Sequence, residues 1–177
     1  MNKTLVVFHS RTGHTRRVAK ALAEQLNADL DEIVVHQRRD GPLGYARCAL
    51  EALGGCAASV RATKSDPSRY ERVVIGTPIW FWSLSSPVRA WAQSHHLGQA
   101  KLGFFCTMGG SGAEHAFEQL ESVCGRAPQA TLALTEAQLA GGLDAALADF
   151  VAELQGRPAR AQRAALRKRR APARAAP

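Results

Sequence analysis

The stretch TLVVFHSRTGHT, residues 4–15, carries the reading of the fold. Its first half, Thr4 to His9, is a short run of β-branched and apolar side chains, the composition of a buried strand. Ser10-Arg11-Thr12-Gly13 then reads as a turn. From His14 to Leu26 the apolar Val18, Ala21, Leu22 and Leu26 recur at helical spacing. A buried strand that turns directly into a helix opens an alternating strand–helix chain.

Working outward, the alternation continues. Leu30 to Val35 reads as a second strand, Arg38 to Gly44 as a loop, and Tyr45 to Leu53 as a helix stopped by Gly54-Gly55. Residues 57–69 are polar and read as irregular. Arg72 to Gly76 is a third strand, and Ser86-Pro87 opens a helix to about Leu97, with Pro in its first turn. Leu102 to Cys106 is a strand, Glu114 to Cys124 a helix, Ala130 to Leu134 a strand, and Leu143 to Leu154 the last helix. Several of the strands are apolar throughout, as expected when both faces are covered. The expectation is an α/β fold: a sheet of five parallel strands with helices on both faces. Ligands of such sheets bind beyond the carboxyl ends of the strands, which singles out residues 10–15, 77–86 and 107–112.

The chain has 177 residues, enough for one domain. Its 23 Lys and Arg against 15 Asp and Glu give +8. Arg157, Arg160, Arg163, Arg167, Lys168, Arg169, Arg170 and Arg174 supply all of that excess, because residues 156–177 hold no acid. We therefore expect a charge-neutral domain over residues 1–155 and a disordered basic tail over 156–177. The tail suits weak, non-specific contact with anionic surfaces, either nucleic acid or acidic lipid. No apolar run approaches the roughly 20 residues of a membrane span, and Leu5 to Phe8 is too short for a secretory signal. The expected location is cytoplasmic, with a membrane-peripheral role open through the tail. Cys48, Cys56, Cys106 and Cys124 form no CxxC pair and no zinc-like spacing, and adjacent His95-His96 would diverge on a helix, so no metal is expected.

Each of the three loops has chemistry of its own. Ser10-Arg11-Thr12-Gly13-His14-Thr15 brings backbone N–H groups and three hydroxyls to a helix amino terminus, which suits a phosphate. A simple N-capped helix start reads equally well. It is neither a Walker A loop nor a GxGxxG fingerprint. Thr77-Pro78-Ile79-Trp80-Phe81-Trp82-Ser83-Leu84 carries three consecutive aromatics that cannot all point inward. They make either a platform for a flat ring or an apolar cap or oligomer contact. Thr107-Met108-Gly109-Gly110-Ser111-Gly112 lets backbone approach a ligand closely, or is a flexible connection.

Together the loops give the resemblance. The chain resembles the flavodoxin-like FMN proteins over about residues 3–155. SRTGHT is similar to that family's phosphate signature, GTPIWFW to its ring-stacking loop, and CTMGGSG to the third loop of its quinone-reductase-like members. The resemblance implies strand order 2-1-3-4-5 and non-covalent FMN. It assigns Ser10, Arg11, Thr12, Gly13, His14 and Thr15 to the phosphate. Pro78, Ile79, Trp80, Phe81 and Trp82, with Thr107, Met108, Gly109, Gly110 and Gly112, go to the isoalloxazine and ribityl. Electron-shuttle members of the family are strongly acidic and stack an aromatic from the third loop on the ring. Residues 1–155 are neutral, and the third loop has no aromatic before Phe117. One ring face is therefore expected open to a second flat molecule. The second loop also lacks Gly between Thr77 and Leu97, so a peptide flip is expected to be costly at Trp80-Phe81, where φ > 0 disfavours bulky residues. The expectation is an FMN-dependent oxidoreductase linking NADH or NADPH to quinone-like acceptors by two-electron transfer. A one-electron carrier, a protoporphyrinogen-oxidase-like flavoprotein and a binding protein without turnover are the other readings. Family members often bury the flavin between subunits, and exposed Phe81 or Trp82 would suit a homo-oligomer. No protein nucleophile is expected. His115 reads as a surface residue or a proton donor to a reduced quinone, His9 as packing under the loop, and Cys106 as core. The Arg38-Arg39 pair reads as a solvated charge cluster.

Overall fold

A computed structural model describes residues 3–35 and 63–157. The expected loop over Arg38 to Gly44, the helix over Tyr45 to Leu53, Cys48, Cys56 and the tail from residue 158 onward lie outside the described residues.

Among the described residues, six strands make up the sheet: β1 (Thr4–Phe8), β2 (Asp29–Glu32), β3 (Arg72–Trp80), β4 (Ser83–Leu84), β5 (Lys101–Met108) and β6 (Ala130–Thr135). Five run parallel in the order β2-β1-β3-β5-β6, and β4 pairs antiparallel to the end of β3. With β4 set aside, this is the expected 2-1-3-4-5 order. The described helices are α1 (His14–Leu26), α2 (Ser86–Ser94), α3 (Ala113–Cys124), α4 (Glu136–Gly141) and α5 (Asp144–Leu154). None of the described helices is long and apolar enough to cross a membrane. The end of α5 is closed by Gly156 and Arg157, whose N–H groups donate to the Glu153 and Ala152 carbonyls.

Strand alternation divides the core. Val6 and Phe8 of β1, Val74 of β3 and Phe105 of β5 face Val18 and Leu22 of α1 and Leu147, Phe150 and Leu154 of α5. Val7, Val73, Ile75 and Phe104 point the other way, onto Val88 and Trp91 of α2 and Leu120 of α3. Every residue of β1 is buried because both of its faces and both of its edges are covered.

Several boundaries move for local reasons. β2 stops at Glu32 rather than Val35: the Ile33 N–H still donates to the Phe8 carbonyl at 2.7 Å, but the Ile33 carbonyl bonds His9 Nδ1 at 2.8 Å. α2 stops at Ser94 rather than Leu97, because Ser94 Oγ and His95 Nδ1 both donate to the Trp91 carbonyl. The third strand does not end at Gly76. It runs to Trp80, since β5 extends to Met108 beside it and β4 folds back on it. α4 is an unexpected helix. Its start is a capping box in which Thr135 Oγ1 accepts from the Gln138 N–H and the Gln138 side chain accepts from the Thr135 N–H.

Gly76 fixes the middle of the sheet. It pairs with Phe105, whose ring lies across it; a Cβ at position 76 would stand 2.1 Å from Phe105 Cζ. The Gly76 carbonyl also accepts the His9 N–H at 3.2 Å, just where β1 gives way to the first loop. Gly76→Ala is expected to lower the unfolding free energy by about 1–3 kcal/mol through overpacking, read from the urea midpoint, and Gly76→Ala with Phe105→Leu to recover much of the loss. Cys106 is completely buried, and burial pushes its thiol up to about 12, against a backbone hydrogen bond at Leu134 that lowers it. It is a protonated packing group at neutral pH. In folded protein at pH 8, Cys106 should resist iodoacetamide and become alkylated only in denaturant, which peptide mass spectrometry reads directly.

Candidate ring and phosphate site

The three strand-end loops meet at one edge of the sheet, as a parallel sheet requires. The first loop follows β1. Gly13 occupies the N-cap position of α1 at φ 97° and no side chain caps the helix. Ser10 Oγ instead accepts the Gly13 N–H at 3.2 Å, which folds the loop back on itself. The first-turn N–H groups and the positive end of the helix dipole are left to the loop. Arg11, Thr12 and His14 are exposed, and Ser10 is buried.

Thr15 behaves differently from its neighbours. It is buried, and its Oγ1 lies 2.8 Å from Thr107 Oγ1, so its hydroxyl joins the first loop to the end of β5. The next two cations of α1 are engaged elsewhere. Arg16 forks onto the Glu32 carboxylate, and Arg17 donates to the Leu139 carbonyl.

The second loop is a hairpin. Ile79 pairs with Leu84 and Trp80 with Ser83, which leaves Phe81 and Trp82 as a two-residue tip. Both tip residues have positive φ, 50° and 59°. That is the signature of a type I′ turn, usually filled by Asn-Gly. Positive φ is costly for bulky residues, and here the turn geometry of the right-twisted hairpin overrides that side-chain preference. Such residues store about 1–3 kcal/mol each and persist only where the surroundings over-determine them.

Those surroundings are visible. Thr77 and Ser85 are wholly buried at the hairpin base, their hydroxyls 3.0 Å apart. His9, held by the Ile33 carbonyl, meets Trp80 edge-on with centroids 5.8 Å apart. Trp82 Nε1–H donates to Ser111 Oγ at 2.9 Å, so the tip is tied to the third loop. Gly112, at φ 105°, lies directly beneath it; a Cβ there would stand 2.7 Å from Trp82 Cα. Only glycine satisfies both the backbone angle and the close approach.

Between hairpin and third loop lies a cavity of about 390 Å³ lined by Ile79, Phe81, Trp82, Met108, Gly109, Gly110 and Ser111. Pro78 is buried under it, Trp80 is half-buried, and Phe81 and Trp82 are exposed. The glycine side of the cavity is open: a Cβ at Gly109 or Gly110 would meet nothing within 4 Å. A larger cleft of about 540 Å³ at the β2 edge is lined by the paired Arg16 and Glu32 and by no strand-end loop from β3 or β5. Among the described residues, no cluster of His, Cys, Asp and Glu could hold a metal ion.

The structure thus brings the three expected loops together. Ser111 and Thr77 lie inside the quoted motifs without an assigned role, and Ser85 lies outside them; the Thr77–Ser85 contact depends on a hairpin that has no Asn-Gly signal. His115 faces Gln119, its Nε2 2.8 Å from the amide Nε2, with Glu118 at 3.8 Å on its other side.

A flavodoxin family model matches residues 3–140. Among solved structures, a flavoprotein of Lactobacillus acidophilus in complex with FMN is 17% identical, covering 80% of this chain and 98% of its own, with a TM-score of 0.63. A Bacteroides eggerthii flavoprotein is 24% identical over 81% of this chain and 97% of its own, at a TM-score of 0.66. A Bacteroides uniformis flavoprotein is 22% identical over 76% and 91%, at 0.68. At these identities the structures speak for the fold, and the family match spans more than three-quarters of the sequence. With the parallel sheet and its strand order, this places the chain in the flavodoxin family.

Proposed function

We propose that the chain binds one FMN at the three-loop edge and uses it as a two-electron oxidoreductase, taking reducing equivalents from NADH or NADPH and passing them to quinone-like acceptors. The observation that carries the cofactor assignment is the Thr15–Thr107 hydroxyl bond, because it sets an uncapped helix amino terminus beside an aromatic and glycine-lined cavity. The two halves match the two chemistries of FMN, an anion at one end and a flat ring at the other. Family membership and the FMN complex of the Lactobacillus acidophilus relative support the same cofactor.

The residues fit the group. The first-turn N–H groups of α1 with Ser10 and Thr12 would hold the phosphate, the helix dipole adding to its binding. Phe81 and Trp82 offer aromatic surface to the ring, and Gly109 and Gly110 let backbone approach it without a side chain between. Bound FMN supplies the hydride and electron chemistry. The protein orients it and sets which face a second reactant can reach. The third loop brings Met108, Gly109, Gly110 and Ser111 but no aromatic to the cavity, which supports access for a second flat ring to one face, as hydride transfer between stacked rings demands. The charge balance of residues 1–155 also fits small-molecule reactants better than basic protein partners.

A one-electron carrier is the second reading, and the hairpin favours it in one respect: Phe81 and Trp82 already occupy the left-handed region, so positive φ at the tip does not require Gly.

Thr12→Val removes an exposed hydroxyl from the first loop. A hydrogen bond to a charged group contributes about 1.5–3 kcal/mol, so FMN affinity should fall roughly tenfold or more while riboflavin affinity stays unchanged. Equal losses for both flavins would refute the phosphate assignment. Turnover is tested by NADH and NADPH oxidation with a benzoquinone, together with a reductive titration. We expect a direct passage from the oxidised to the two-electron-reduced spectrum. A long-wavelength radical band persisting through most of the titration would favour the one-electron carrier.

A further inference from the structure

The aromatic hairpin has a second anchor that lies outside the cavity. The Leu84 N–H, on the returning arm β4, donates to Gln119 Oε1 of α3 at 2.9 Å. The same oxygen accepts Arg89 Nη2 of α2 at 3.0 Å. Two donors on one oxygen fix the orientation of the amide, which therefore presents its NH₂ group to His115 Nε2 at 2.8 Å. Leu84 is fully buried and Arg89 is partly desolvated, which lowers its pKa. The Gln119 carbonyl thus sits where β4, α2 and α3 meet, supplying the acceptor that a buried backbone N–H and a guanidinium need.

We propose that Gln119 is a positioning residue for the ring site. It holds the arm behind Phe81 and Trp82, so that Trp82 stays in reach of Ser111 and above Gly112. This rests on the reading of the cavity as a flavin-ring site. The strained tip lacks a local preference for its own geometry, and its two arms must therefore be fixed from outside. The inner arm is part of the parallel sheet through the pairing of Pro78 with Thr107. The outer arm is only two residues long, and Gln119 ties it to α3.

The test compares Gln119→Leu, Gln119→Glu and Gln119→Asn with the wild type by titration with FMN and with riboflavin, and by solvent exchange of the Trp82 indole N–H in flavin-free protein. Gln119→Leu should weaken both flavins by the same factor, at least tenfold, because the ring contact is lost and the phosphate contact is not. The indole N–H should exchange at least tenfold faster. Gln119→Glu keeps an acceptor oxygen at the same reach and should restore both flavin affinities to within threefold of wild type. If Gln119→Leu does not fold, Gln119→Asn decides, since its amide is one methylene short of Leu84 and should reproduce the joint loss. A folded Gln119→Leu protein with wild-type riboflavin affinity and wild-type indole exchange overturns the proposal, as does a loss confined to FMN. A wild-type protein that binds neither flavin, while Gln119→Leu still frees the indole, overturns the FMN reading and upholds the positioning role.

Discussion

One buried pair of hydroxyls organises the functional edge of this molecule. Thr15 and Thr107 lie 92 residues apart in sequence and 2.8 Å apart in space, both nearly inaccessible to water. Neither oxygen has solvent to fall back on, so removing one partner strands the other at a cost of about 1–3 kcal/mol. The bond ties the start of α1 to the end of β5, between them fixing the first and third loops. The second loop is then placed against the third by Trp82, Ser111 and the missing Cβ of Gly112.

What can be read from sequence follows from strong local signals. The β1 run, the turn at Gly13 and the helix after it stand as expected because apolar burial and helical periodicity agree there. The hairpin is hidden for a physical reason. Its tip is Phe-Trp where a type I′ turn normally takes Asn-Gly, so the local preference contradicts the structure and only tertiary contacts sustain it. The β3 extension is masked in the same way by Pro78, a residue that reads as the end of a strand. The Thr135 and Gln138 capping box stands in the sequence, yet α4 goes unexpected, because a helix of only six residues directly after a strand carries little apolar periodicity. Gln119 has no local signature, because its role exists only once α2, α3 and β4 are in contact.

Thr15 illustrates a finer limit. Its place in the SRTGHT motif suggests an outward hydroxyl, while its burial turns that hydroxyl to Thr107. The motif and the geometry are compatible, since a loop can position donors through a residue that does not itself face outward. Gly76 is the complementary case. Its neighbours read as strand, but nothing local shows that the ring of Phe105 fills the space beside it. Packing across strands is written in two places at once.

The separation of Thr15 from Thr107 also bears on synthesis. The first loop leaves the ribosome before its partner, which emerges 92 residues later. At about 5–20 residues per second, the gap is roughly 5 to 18 seconds. During that interval the nascent chain carries the helix amino terminus without its partner hydroxyl, so the edge where the three loops meet exists only after β5 has been made and docked. The assembly of that edge is thereby timed by the order of translation, and a chain arrested before Thr107 has the first loop without the hydroxyl that joins it to the third.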